Sequence, residues 1–145
     1  MTIPTTTDLV KLGYLFAEIM SSHDLSRLDE IKAPQYVNHN AFAEPGLEGS
    51  KKVLGAIIAG VPDLRVIAED VFVSADGSRV VGRYRYDGTH TGNLLGYSAT
   101  GNPFAMRSID IWRVENGRFV EHWDELNTLD VFIQMGAVPP PRQPS

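Results

Sequence analysis

The feature that most constrains this chain is a change of hydrophobic period at Val61-Pro62-Asp63. Before it, apolar residues recur at helical spacing; after it they alternate as in strands. Thr7 is placed to cap a first helix and Asp8 suits its first turn. Leu9, Leu12, Phe16, Ile19 and Met20 form the apolar stripe of that helix, with Lys11 and Glu18 off it. Asp24 caps a short second helix, Leu25 to Ile31, which Ala33-Pro34 ends because the residue before proline avoids the α region. Tyr36 to Asn40 reads as a short strand or strand end. A loop from Ala41 to Gly49 follows, and a third helix from about Ser50 to Gly60 carries Val53, Leu54, Ile57 and Ile58 on one side.

Beyond the switch, Leu64–Ser74 and Arg79–Tyr86 are β-rich runs joined at Ala75-Asp76-Gly77, a strong hairpin signal. The glycine-rich stretch from Gly88 to Asn102 has no regular period and predicts a strand end and a long loop. Phe104–Val114 and Arg118–Leu126 predict a second hairpin around Glu115-Asn116-Gly117, after which Asn127 caps a final helix with Leu129, Phe132 and Ile133 that stops at Gly136. Helices first, then antiparallel strands, then a helix, segregated in this way, mean an α+β fold: one curved sheet wrapped by helices around a cavity. With 145 residues there is one domain, residues 1–136, and a proline-rich tail, residues 137–145.

Thirteen Lys/Arg against eighteen Asp/Glu give a net charge of −5, which argues against a nucleic acid or an anionic membrane as partner. The chain has no cysteine, so disulfides, a thiolate nucleophile and cysteine-based metal sites are excluded. The N-terminus lacks the basic region and apolar run of a signal peptide, and no apolar run approaches the length of a bilayer span. A cytoplasmic location is expected. No Gly-x-Ser-x-Gly elbow supports a serine hydrolase, and the glycine spacing of Gly46–Lys51 does not fit a phosphate loop. Arg83 and Arg85, alternating with Tyr84 and Tyr86, mark a strand with one polar and one half-buried face.

Candidate chemistry concentrates in Phe119–Asn127. In a strand, His122 and Asp124 share one face while Glu121 and Trp123 take the other. A carboxylate walled by apolar groups has its pKa raised toward the range useful for proton transfer, and a nearby imidazole completes an acid–base pair. The competing reading is that the strand end is wet and both groups are solvated, or that Asp124 only stabilises the following helix. The residues facing them depend on register. A two-residue Asn116-Gly117 turn sets Ile109 against Asp124 and Ile111 against His122. A three-residue loop with a bulge sets Asp110 against His122 and Trp112 against Val120, and only this second register puts Met106 and Trp112 on the pocket. His90, between flanking glycines, is a second candidate base or donor, and His39 a weaker one. His23 is an exposed helix terminus. Four histidines without i, i+4 or His-x-His spacing give no metal-ligand pattern, so no metal is expected.

Six segments in order carry a resemblance: Tyr36-Val-Asn-His-Asn40 with Gly46-Leu-Glu-Gly49, Val61-Pro-Asp-Leu64, Gly88-Thr-His-Thr-Gly92 with Thr100-Gly101, and the run from Ile109 to Asp124. Together they resemble the SnoaL-like polyketide cyclases and predicted ester cyclases of the nuclear transport factor 2-like superfamily. The resemblance implies a cone-shaped sheet wrapped by three to four helices around a deep apolar pocket, and a homodimer. It also implies a cofactor-free aldol-type cyclisation of a small hydrophobic, polyketide-like carbonyl substrate, a lyase or isomerase activity. Asp124 falls at the family's proton-abstracting aspartate and His90 at its Gly-x-His-x-Gly histidine, which would polarise the carbonyl; His122 would orient. Phe16, His39, Tyr84, Met106 and Trp112 would contact the substrate. The related limonene epoxide hydrolases need an Arg-x-Asp where this chain reads Gly88-Thr-His-Thr-Gly-Asn93, which disfavours epoxide hydrolysis. The same pocket would also suit isomerase chemistry or a non-catalytic ligand-binding module.

Overall fold

Helix α1 spans Thr6–Ser22 in the computed structural model, which describes residues 2–144; Met1 and Ser145, the outer ends of the expected domain and tail, lie outside the described residues. Its cap is Thr5 rather than Thr7. The Thr5 hydroxyl accepts from the Asp8 N–H at 3.1 Å and the Asp8 carboxylate accepts from the Thr5 N–H at 3.0 Å, a reciprocal box that needs an acid three residues after the cap. Asp24 caps as expected, accepting from the Ser26 N–H at 3.2 Å, but Leu25–Glu30 is a 3-10 helix, too short to settle into α geometry.

Strand β1, Lys32–Asn38, begins four residues before the expected strand and passes through Pro34. Proline is tolerated because β1 is an edge strand. Helix α2, Gly46–Gly60, also starts four residues early, with Pro45 at its N-cap. Strands β2 (Arg65–Val73), β3 (Arg79–Thr89), β4 (Pro103–Glu115) and β5 (Arg118–Leu126) follow, and helix α3, Thr128–Gln134, closes the fold. Asn127 precedes α3 without side-chain capping, because its Oδ1 accepts the Arg107 N–H at 2.7 Å instead. Among the described residues no helix is long and apolar enough to cross a membrane.

The sheet is open, in the order β1-β5-β4-β3-β2. The expected all-antiparallel sheet is corrected at one edge: β1 runs parallel to β5, so the last strand returns to lie beside the first after the rest of the sheet has been laid down. The β4–β5 hairpin follows neither expected register. Asn116 (φ 51°) and Gly117 (φ 74°) make a two-residue turn with both central residues left-handed, and Glu115 pairs Arg118. A bulge then leaves Val120 unpaired, between Val114↔Phe119 and Arg113↔Glu121, so Phe119 and Val120 are both buried. The extra residue restores the parity of the second register by another route. Trp112 lies opposite His122 and Asp110 opposite Asp124.

Inward residues of β3 and β4 pack on α1 as an aromatic cluster. Trp112 stacks on Phe119 with centroids 4.5 Å apart and meets Phe16 at 5.3 Å. Tyr84 donates its hydroxyl to the Gly13 carbonyl at 2.6 Å. The β3–β4 connection is held against the end of α2 by the Gly92 N–H, which donates to the Gly60 carbonyl at 3.0 Å. A Cβ at Gly92 would be driven into the Ala59 carbonyl, so this approach requires glycine.

Candidate active site

Between the concave face of the sheet and α2 lies a cavity of about 100 Å³, walled mainly by apolar side chains such as Phe16, Leu54, Ile57, Phe104, Met106 and Trp112. Phe42 and Leu95 line it while remaining 59% and 44% exposed, which places them at its open rim. Its polar groups are few: Asp110, His122 and Asp124 from β4 and β5, Asn38 and Asn40 from β1 and the turn after it, and Lys32, Ser50, Tyr86 and Thr128 elsewhere on the wall.

The first group is a connected network. His122 Nε2 is 2.7 Å from Asp110 Oδ1, and Nδ1 is 2.8 Å from Asn38 Oδ1. Asn38 Oδ1 also accepts the Asn40 N–H at 3.1 Å, which fixes it as an acceptor, so His122 Nδ1 carries a proton and donates. The remaining ring nitrogen and Asp110 then share the proton on the line between them, and Ser108 donates to the other Asp110 oxygen at 2.6 Å. Asp110, 3% exposed, and His122, 7% exposed, are satisfied on every side that faces protein.

Asp124 is half-buried. Burial raises its carboxyl above the ordinary aspartate range, against the lowering influence of the Asn40 amide, which donates to Oδ2 at 2.7 Å, and of His122. The neighbouring Asp110 pushes in the same direction as burial. Asn40 Oδ1 meanwhile accepts the Phe42 N–H at 2.8 Å, so one side chain couples the rim to the carboxylate. The arrangement can present a carboxylate of raised basicity to a bound molecule and take it back as the acid. Asp110, His122 and Asp124 each offer one atom within 4.8 Å of the others, the residues here that could hold a cation, though an ion would have to displace hydrogen bonds already made by His122.

Lys32 is 2% exposed and donates to Ser50 Oγ at 2.6 Å. Burial lowers its ammonium to about 7, opposed by the charges of Asp110 and Asp124. Burial also pushes the Tyr36 phenol well up, and among the described residues Tyr36 Oη, Trp112 Nε1 and His90 Nε2 are buried without a hydrogen-bond partner.

Of the residues singled out in the sequence, Asp124, His122, Phe16, Met106 and Trp112 meet on this cavity. Three lie elsewhere. Tyr84 is buried behind the cavity wall with its hydroxyl on α1. His39 stands on the other side of β5, stacked on Trp123 at 5.1 Å with Nε2 2.8 Å from Glu121, because it is one residue out of phase with Asn38 and Asn40. His90 is 1% exposed with Nδ1 3.0 Å from Thr100 Oγ1, inside the base of its own loop. Sequence reasoning missed Lys32, Ser50, Asn38 and Asn40, and met Asp110 only as the residue facing His122 in one register, without a role. Parity with Met106 and Trp112 was the available signal for Asp110, and parity about His39 for the two asparagines. Nothing local marks Lys32 or Ser50.

Comparison with known proteins agrees with this fold. Over 130 residues the chain is 24% identical to aklanonic acid methyl ester cyclase DauD from Streptomyces sp. (strain C5), covering 84% of this chain and 80% of that one. TsrD from Streptomyces laurentii superposes with a TM-score of 0.85 at 30% identity, over 94% of this chain and all (100%) of that one. Wild-type IdmH from Streptomyces antibioticus gives 0.72 at 31% identity, over 92% and 99%. The model of the SnoaL-like polyketide cyclases matches residues 12–135, so the α+β cone with its polar cluster on an apolar wall is that of a member of the SnoaL-like polyketide cyclase family.

Proposed function

We propose that this protein closes a ring in a small apolar polyketide-like substrate by an aldol-type reaction in which Asp124 is both base and acid. The observation that carries the reading is one half-buried carboxylate of raised basicity, held by Asn40 beside the Asp110–His122 pair on the wall of an apolar cavity. Its carboxylate takes a proton from the carbon next to a carbonyl. The enolate carbon attacks a second carbonyl of the same molecule, a C–C bond forms, and the Asp124 acid returns its proton to the new alkoxide. Substrate and product are isomers. His122, with both ring nitrogens engaged, is a positioning residue that fixes the charge beside Asp124. The apolar wall excludes water and holds the chain folded for attack. The homodimer implied by the resemblance is part of this proposal; Phe72 and Ile109, more than half exposed on the outer face of the sheet, suit it, and sedimentation would measure it.

Two probes test the reading. Aklanonic acid methyl ester, the molecule for which the DauD relative is named, should be converted to a product of equal mass. Independently, the protein should speed exchange of the α-protons of 1-tetralone for deuterium in D2O, followed by proton NMR. Asp124→Asn should lower both rates by about 10²–10⁴-fold with the fold intact, the range for a general acid–base residue. Exchange by that variant at the wild-type rate overturns the assignment. Tight binding of the ester with neither conversion nor exchange would instead mark a binding module.

A further inference from the structure

A lysine ammonium taken out of water needs a carboxylate beside it or gives up its proton. Lys32 has no carboxylate within 4 Å among the described residues, unlike Lys51, which pairs with Asp29 at 2.8 Å and Glu48 at 3.2 Å, or Lys52, which pairs with Glu44. Its Nζ is held by Ser50 Oγ at 2.6 Å and lies 4.6 Å from the Tyr36 ring centre and 5.7 Å from that of Phe16, on the wall of the same cavity as Asp124.

Such a group has two uses: to anchor an anion or to react with a carbonyl. Asp110 and Asp124 decide between them. Both are near enough to act on Lys32 through the cavity, and an anionic ligand beside Lys32 would feel their repulsion. A neutral carbonyl would not. A cation formed at Nζ, in contrast, inherits the aromatic faces and the field of both carboxylates.

We propose that Lys32 is a nucleophile that forms an imine with a ketone bound in the cavity, held in line by Ser50; as a step of catalysis this rests on the acid–base reading of Asp124. The neutral amine adds its lone pair to the carbonyl carbon as the C=O π electrons move to oxygen. Proton transfer from nitrogen to oxygen gives a carbinolamine, which takes up a proton from solvent and loses water to give the iminium ion. Asp124 takes the α-proton, so the C–H electrons make a neutral enamine, whose carbon attacks the second carbonyl. The Asp124 acid returns its proton to the new alkoxide, water adds to the resulting iminium, the C–N bond breaks, and ketone, amine and the proton taken up earlier are released. The water lost is returned, and no oxidant or reductant takes part. The near-neutral value of about 7 at Lys32 keeps much of the amine free for this reaction.

The test is reductive trapping. The full chain is incubated with cyclohexanone and sodium cyanoborohydride at pH 7.5, and the alkylated lysines are located by peptide mass mapping. Lys32 should be labelled at least about tenfold faster than Lys11, Lys51 or Lys52, since an ammonium in water keeps its proton at this pH. Cyclohexanecarboxylate, an anion of similar shape, should protect poorly. Even labelling of all lysines, or none at Lys32, overturns the proposal, as does strong protection by the carboxylate, which would make the site an anion anchor. Asp124→Asn should be trapped at Lys32 as wild type is, since imine formation precedes α-proton removal. Trapping at Lys32 combined with wild-type tetralone exchange in Asp124→Asn would refute the acid–base reading and leave the imine site standing. Loss of exchange in that variant with no trapping in wild type would refute the imine and leave Asp124 as the base.

Discussion

Replacing Asn40 by alanine removes the hydrogen bond the described residues make to the Asp124 carboxyl. That bond stabilises the ionised form, so its loss makes protonation easier and moves the Asp124 pKa up, adding to the rise that burial already causes. A hydrogen bond to a charged group is worth about 1.5–3 kcal/mol, and water can partly replace it at a half-buried site, so about 1.5 kcal/mol is the appropriate figure. The protonated form gains about that much on the ionised one, so the midpoint moves upward. Carboxyl ¹³C NMR titration of wild type and Asn40→Ala reads it without substrate, with Asp124→Asn assigning the resonance. The acidic limb of the tetralone exchange rate should move up by the same amount. An unmoved or lowered midpoint would refute the view that this amide holds the carboxylate.

Three further outcomes follow from the same geometry. Lys32→Met should flatten the pH dependence of stability: the folded chain releases this proton near 7 and the unfolded chain near 10.5, so unfolding takes up a proton between those values and wild-type stability rises with pH there. Chemical denaturation should show wild type gaining about 2–3 kcal/mol on the variant between pH 7 and 9, and equal slopes would show that the amine is not desolvated. Asp110→Asn should cost about 1–3 kcal/mol by unsettling Ser108 and His122, and lower exchange activity about 10²-fold; full activity would remove the pair from the mechanism. Gly92→Ala should cost about 1–3 kcal/mol in a melt and speed amide exchange across residues 90–102, since its Cβ would meet the Ala59 carbonyl; unchanged protection there would show that the approach to α2 does not hold the loop.

The helices, the hairpins and the α+β class were legible because each follows from a local period or a turn dipeptide. The face that carries His122 and Asp124 was legible for the same reason, since parity within β5 needs no partner. What the sequence withheld is non-local. The bulge at Val120 has no glycine or proline to announce it, yet it decides which β4 residues share the cavity. The parallel pairing of β1 with β5 brings Asn38 and Asn40 to the site, and no pattern within β1 specifies a partner strand so far along the chain. Lys32 reads as an ordinary polar residue near Ala33-Pro34 until α2 closes over it. His90 illustrates the reverse: flanking glycines promise access, and here they serve close packing at the base of a loop instead.

The pairing of β1 with β5 also sets when the site can come into being. Of the side-chain hydrogen bonds that tie the end of β1 to β5, Asn38 to His122 and Asn40 to Asp124 each span 84 positions, and His39 to Glu121 spans 82. Closing so long a loop carries its entropic cost before any contact rewards it, and such non-local pairings are slow steps in folding. The helices and the β2–β3 hairpin can form from neighbouring residues. Until β5 docks between β1 and β4, both of those strands have an open edge, and the aromatic wall faces water. A chain still emerging from the ribosome therefore holds most of its secondary structure before it holds any chemistry. Its passage through that state, with an unpaired edge beside exposed aromatic rings, is where aggregation competes with folding.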